Sequence, residues 1–131
     1  MAALIDSSVW VAIYRASTPE GLRRRAAEAV NRADAHGALP VLAEVCGALP
    51  GADMERLRRH LGTLPLLSLP EDVWEQAAAW MAQSAERGGR LPLGAALIGV
   101  TARHHGAELV ACDPVVAPLL ESQGVRLRFL T

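Results

Sequence analysis

Two short apolar runs in this chain each stop abruptly at an aspartate, and that repetition limits the possible folds more than any other feature. Ala3-Leu4-Ile5 is closed by Asp6, and Glu108-Leu109-Val110-Ala111-Cys112 is closed by Asp113. Runs of this length and apolarity read as strands buried on both faces, which is the habit of parallel sheets in α/β proteins. An acid at the C-terminal end of such a strand stands at the sheet edge where α/β folds bind ligands. If the two strands are parallel neighbours, both carboxylates reach the same edge.

The segments between them read mainly as helices. Ser7 or Ser8 caps a helix carrying Val9, Trp10, Ile13 and Tyr14 on its apolar side and ending near Ala16. Thr18, Pro19 and Glu20 open a second helix through about Ala35. Ala38 and Leu39 predict a second strand, and Pro40 takes the first turn of a helix bearing Val41, Leu42, Val45 and Leu49. After a break at Pro50 and Gly51, a helix runs from Asp53 through His60. Leu64 to Leu69 predicts a further strand, with Pro65 at its start or on an edge.

Pro70, Glu71 and Asp72 open a long helix whose Val73, Trp74, Ala77, Trp80, Met81 and Ala85 form a broad apolar stripe. The next helix, Leu93 to about His105, is rich in small residues. Pro114 starts another through Ser122, Gly124 caps it, and Val125 to Leu130 alternates apolar and charged residues as an edge strand does. This order predicts a single α/β domain over residues 1–131, with a mainly parallel central sheet and helices on both faces.

Composition narrows the function. The net charge of -1 provides no global basic field, so nucleic-acid binding has to use local patches. All 13 basic residues are arginine, which removes every mechanism that needs a catalytic lysine. Cys46 and Cys112 lack metal-binding spacing and read as core residues of a protein in a reducing compartment. No signal-like or membrane-spanning stretch occurs, and a cytoplasmic location is expected.

A third acid, Glu44, lies in the otherwise apolar helix after the second strand, either turned to solvent on a narrow face or aimed into a site. Near the start of that helix it can reach the same sheet edge as Asp6 and Asp113. Three carboxylates in one pocket repel one another, and a fold tolerates this cheaply only with a bound cation. Mg2+ and Mn2+, hard ions that prefer oxygen, are the natural candidates.

Leu-Ile-Asp-Ser-Ser-Val-Trp at 4–10, Val-Leu-Ala-Glu-Val at 41–45, Leu-Pro-Leu-Gly-Ala-Ala-Leu-Ile-Gly at 91–99 and Ala-Glu-Leu-Val-Ala-Cys-Asp at 107–113 resemble the four acidic motifs of PIN-domain ribonucleases. The resemblance is to the VapC toxins of bacterial VapBC toxin–antitoxin pairs. It spans essentially the whole chain, with the motifs in order and at the family's spacing. It implies a Mg2+- or Mn2+-dependent endoribonuclease that cleaves tRNA or rRNA and is held inactive by a VapB-like antitoxin. Carried over by position, Asp6, Glu44 and Asp113 are metal ligands and catalytic acids, and the Ser8 hydroxyl supports Asp6.

One motif departs from the pattern. The family typically has Leu-x-Asp-Ala-Leu-Ile in the third motif, and here Ala95 holds the place of the acid. A methyl cannot bind a metal, so the chain is expected to fold as an active member does while being strongly impaired. The alternative is a non-catalytic degenerate PIN domain that binds antitoxin or RNA. Receiver domains and haloacid-dehalogenase-type phosphatases also place an aspartate at a strand end. Both use a lysine that this chain lacks.

Arg15 and Arg90 are the arginines best placed to contact RNA phosphates near the acidic edge, whereas Arg23 to Arg25 read as a solvated helix face. The antitoxin implied by the resemblance lays a C-terminal arm across the acidic pocket and presents an arginine to it. A homodimer is also expected, with the Trp74 and Trp80 helix as a candidate surface.

Overall fold

The computed structural model describes all 131 residues. Its sheet has four strands, β1 (Ala3–Ile5), β2 (Ala35–His36), β3 (Glu108–Ala111) and β4 (Arg126–Phe129), all parallel and ordered β2-β1-β3-β4. Seven helices connect them: α1 (Ser7–Tyr14), α2 (Glu20–Val30), α3 (Leu39–Ala48), α4 (Gly51–Leu61), α5 (Val73–Glu86), α6 (Leu93–His104) and α7 (Ala117–Glu121). All three residues of β1 are buried although their side chains alternate between faces, so the sheet is covered on both sides.

The strand order decides where a ligand fits. From β1 the chain moves outward to β2, then returns through α3–α6 to place β3 on the other side of β1, and moves outward again to β4. The crevice between β1 and β3 is therefore the topological switch point, with Ile5 in register with Val110. Both aspartates follow these two central strands.

Several sequence expectations shift. The second strand lies at Ala35–His36 rather than Ala38–Leu39, because Leu39 and Pro40 form the first turn of α3 and draw the backbone off the sheet. The helix before it stops at Val30, where Asn31 folds its side-chain amide onto the Ala27 carbonyl. The run Leu64 to Leu69 is not a strand. Its proline-interrupted backbone makes one bridge, with the Gly37 N–H donating to Pro65 O at 2.9 Å and the Leu67 N–H to Gly37 O at 2.8 Å.

A cluster of 30 buried apolar residues fills the interior, with Leu4, Ile5, Trp10, Ile98 and Leu109 among the fully buried side chains. The small residues of α6 let it pack closely on its neighbours. A Cβ on Gly99 would meet Leu120 Cδ2 at 2.7 Å and the Trp80 ring at 3.0 Å. The broad stripe expected on α5 divides: Val73, Ala77, Trp80 and Ser84 face inward, while Trp74 is 59% exposed. Cys46 is exposed, since the buried seam of α3 runs through Val41 and Val45, and Cys112 is half-buried. No helix is long and apolar enough to cross a membrane.

Candidate active site

The sheet ladder continues one residue past β1, with the Asp6 N–H donating to Val110 O at 2.9 Å. This fixes the Asp6 backbone to the sheet while its side chain caps α1, so the cap is Asp6 itself and not Ser7 or Ser8, which form the first turn of the helix. Asp6 Oδ2 accepts the Ser8 N–H at 3.1 Å and the Ser8 hydroxyl at 2.5 Å. Ser8 Oγ in turn accepts the Cys112 N–H at 3.2 Å. One hydroxyl thus ties the end of β3 to the acid that follows β1. Asp113 Oδ1 accepts the N–H groups of Val115 and Val116 at 2.9 and 3.3 Å, which sets the turn into α7.

Glu44 projects from α3 away from the buried Val41 and Val45 seam, toward the same crevice. The Ser7 hydroxyl donates to its Oε1 at 2.7 Å, linking α1 to α3. Asp6, Glu44 and Asp113 together line a cavity of about 480 Å³ whose wall also includes Ser8, Arg15 and Ala95. The acid on the apolar helix therefore lines the cavity while staying exposed to solvent.

The charges in this cavity are costly. Burial pushes the Asp6 carboxyl above the ordinary range, and the Asp113 charge adds to this against the hydrogen bonds from Ser8. Partial burial also raises Glu44, with Asp6 repelling it and the Ser7 hydroxyl opposing the shift. The Cys112 thiol is raised by the same burial and the same two aspartates. No arginine or histidine forms an ion pair with any of the three acids.

Such an uncompensated set of oxygen donors suits a hard divalent cation. No three acidic, histidine or cysteine side chains stand close enough to enclose an ion by themselves. A cation there would rest on some of these carboxylates and complete its shell with water.

The PIN-domain family profile matches residues 3–117 of the sequence. The chain belongs to the PIN-domain family. No curated protein matches it by sequence. Solved structures do resemble this PIN domain in fold. VapBC2 from Rickettsia felis, bound to a DNA fragment from its promoter, aligns with a TM-score of 0.70 at 15% identity over 100% of both chains. DNA-bound VapBC from Salmonella typhimurium gives 0.69 at 18% identity, and VapBC-1 from nontypeable Haemophilus influenzae gives 0.69 at 13%; each covers 98% of both chains. At these identities the likeness speaks for the fold.

Within the PIN domain, the sequence-derived residues Asp6, Ser8, Glu44, Ala95, Asp113 and Arg15 line one cavity, and Arg90 stands exposed outside it. Several contributors were not legible as such. Ser7 orients Glu44, and Cys112 forms part of the wall. Arg23 does more than face solvent: its Nη2 donates to Arg15 O at 2.5 Å and to Thr18 O at 3.4 Å, and its Nη1 to Glu20 at 3.0 Å. That arginine clasps the α1–α2 loop at the cavity mouth. A helix-face arginine eight residues after Arg15 carries no pattern that marks this role.

Proposed function

We propose that this PIN domain is a VapC-type toxin, a Mg2+- or Mn2+-dependent endoribonuclease acting on tRNA or rRNA in the cytoplasm and impaired by the alanine at position 95. The carrying observation is the meeting of Asp6, Glu44 and Asp113 around one cavity, with Ala95 in its wall where the family pattern has an acid. Asp6, Glu44 and Asp113 would hold the metal. A bound divalent cation supplies an activated water and neutralises charge growing on the phosphate oxygens during in-line attack.

The chain's own residues prepare that chemistry. Ser8 fixes the Asp6 carboxylate against β3, and Ser7 orients Glu44. The Val115 and Val116 N–H groups hold one oxygen of Asp113, leaving the other free to act. Arg15 neutralises an RNA phosphate at the mouth, and Arg90 reaches the RNA farther out. An Arg15→Ala variant is expected to weaken RNA binding uniformly across sequences and to reduce the slope of log affinity against log salt by about 1. Fluorescence binding titrations at several salt concentrations check this.

Unpaired carboxylates also suit a VapB-like antitoxin that presents an arginine to them. The fold neighbours being toxin–antitoxin complexes supports that partner. For a homodimer, the surface expected from Trp74 and Trp80 together reduces to Trp74, because Trp80 is buried in the core.

A second reading, a degenerate PIN domain that binds without cutting, is favoured by the Ala95 methyl alone. Cleavage assays separate the two. An Ala95→Asp protein is expected to cut structured RNA with Mg2+ or Mn2+, and either a chelator or an added Asp113→Asn is expected to abolish cutting. Cleavage that survives both treatments contradicts the metal-nuclease reading, and an Ala95→Asp protein that neither cuts RNA nor binds a divalent cation favours the binding module.

A further inference from the structure

Gly94, the second residue of α6, occupies a place where another side chain does not fit. A Cβ on it would lie 2.4 Å from Glu44 Oε2 and 2.7 Å from Glu44 Cδ. The carboxylate borne by α3 thus fills the space that a side chain on α6 would take. The obstructing atoms end a flexible side chain, so a methyl at position 94 displaces the carboxylate rather than the helix.

Glu44 is held from two directions. Its Oε1 accepts the Ser7 hydroxyl at 2.7 Å, while its Oε2 lies against Gly94. The first turn of α6 has no acid and no side-chain cap of its own. The space beside this first turn, at the positive end of the helix dipole, is therefore taken by a carboxylate supplied by another helix. Ala95, the next residue of α6, brings only a methyl to the cavity wall.

We propose that Gly94 is a positioning residue that seats the Glu44 carboxylate across the first turn of α6, on the side of the cavity where position 95 lacks an acid. The proposal rests on the metal-nuclease reading for its purpose and on the contact geometry for its existence. On that reading Glu44 serves two functions: it is a cation ligand, and its carboxylate packs against the first turn of α6. A side chain at position 94 breaks both at once.

A double-mutant cycle of the parent, Gly94→Ala, Glu44→Ala and the double variant tests this, with melting temperatures in chelator and Mn2+ affinity by calorimetry. Alanine is the better helix former, so in the Glu44→Ala background Gly94→Ala is expected to raise Tm by about 2–4 °C. With Glu44 present, that gain is expected to vanish and Mn2+ affinity to fall about tenfold. In the Glu44→Ala background Mn2+ affinity is expected not to respond to position 94. Equal Tm gains in both backgrounds, or an Mn2+ affinity unchanged by Gly94→Ala in the presence of Glu44, overturn the proposal. Coupled melting temperatures with no Mn2+ binding by any of the four proteins retain the seat and overturn the metal reading instead.

Discussion

Replacing Ala95 by aspartate is expected to raise Mg2+- or Mn2+-dependent RNA cleavage by about 10²- to 10⁴-fold over the parent, the range typical for a group that acts within a catalytic unit. The residue is already in place for the change. It stands on the first turn of α6, is 9% exposed, and lines the cavity with Asp6, Glu44 and Asp113. A carboxylate there adds a donor and strengthens the field that holds a cation. It also adds a fourth negative charge where two acids already titrate high. In chelator the variant is therefore expected to melt below the parent, and Mn2+ is expected to raise its Tm more than the parent's. Cleavage rates and melting curves, each with and without Mn2+, check both directions.

Asp6→Asn is expected to move stability and function in opposite directions. Asparagine keeps an oxygen to accept the Ser8 N–H, so the α1 cap survives. It removes a carboxylate whose charged form is disfavoured by burial and by Asp113. Metal-free protein is expected to gain about 2–5 °C in Tm at neutral pH. The sign of the pH dependence follows from the raised folded-state pKa. Between its unfolded value of 3.8 and that raised value, the folded protein binds more protons at Asp6, so the parent loses stability as pH rises through the window. The advantage of Asp6→Asn is thus largest above the window, shrinks as pH falls through it, and is gone below 3.8. In the Ala95→Asp background the same substitution is expected to abolish cation-dependent cleavage. Melting curves between about pH 3.5 and 8 measure the first effect.

Much of the site was legible because it depends on strand ends. An apolar run closed by an acid is a local signal, and the parallel pairing of β1 with β3 converts two such signals into one edge. For Glu44 the local pattern leaves two directions open, and the burial of Val41 and Val45 by α3 turns the acid toward the crevice. The contributions of Ser7, Arg23 and Gly94 depend on contacts between elements 8 to 50 residues apart in the chain: Arg23 with Arg15, Ser7 with Glu44, and Gly94 with Glu44. Periodicity holds no record of such contacts.

Strand and stripe patterns are likewise local, whereas pairing and burial depend on the partners an element finds. Apolar stretches around proline, such as Leu64 to Leu69, look like strands in composition while lacking the donors to complete a ladder. Similarly, Trp74 next to Val73 looks like part of a broad stripe, although only one side of α5 finds partners.

Calorimetric titration of Mn2+ into the Ala95→Asp protein, repeated with Asp6→Asn in the same background, most directly tests whether the cavity is a cation site missing one acid. The predicted result is saturable binding by Ala95→Asp, tighter than that of the parent, and its loss on adding Asp6→Asn. No saturable binding by Ala95→Asp, or binding that Asp6→Asn leaves unchanged, would contradict it.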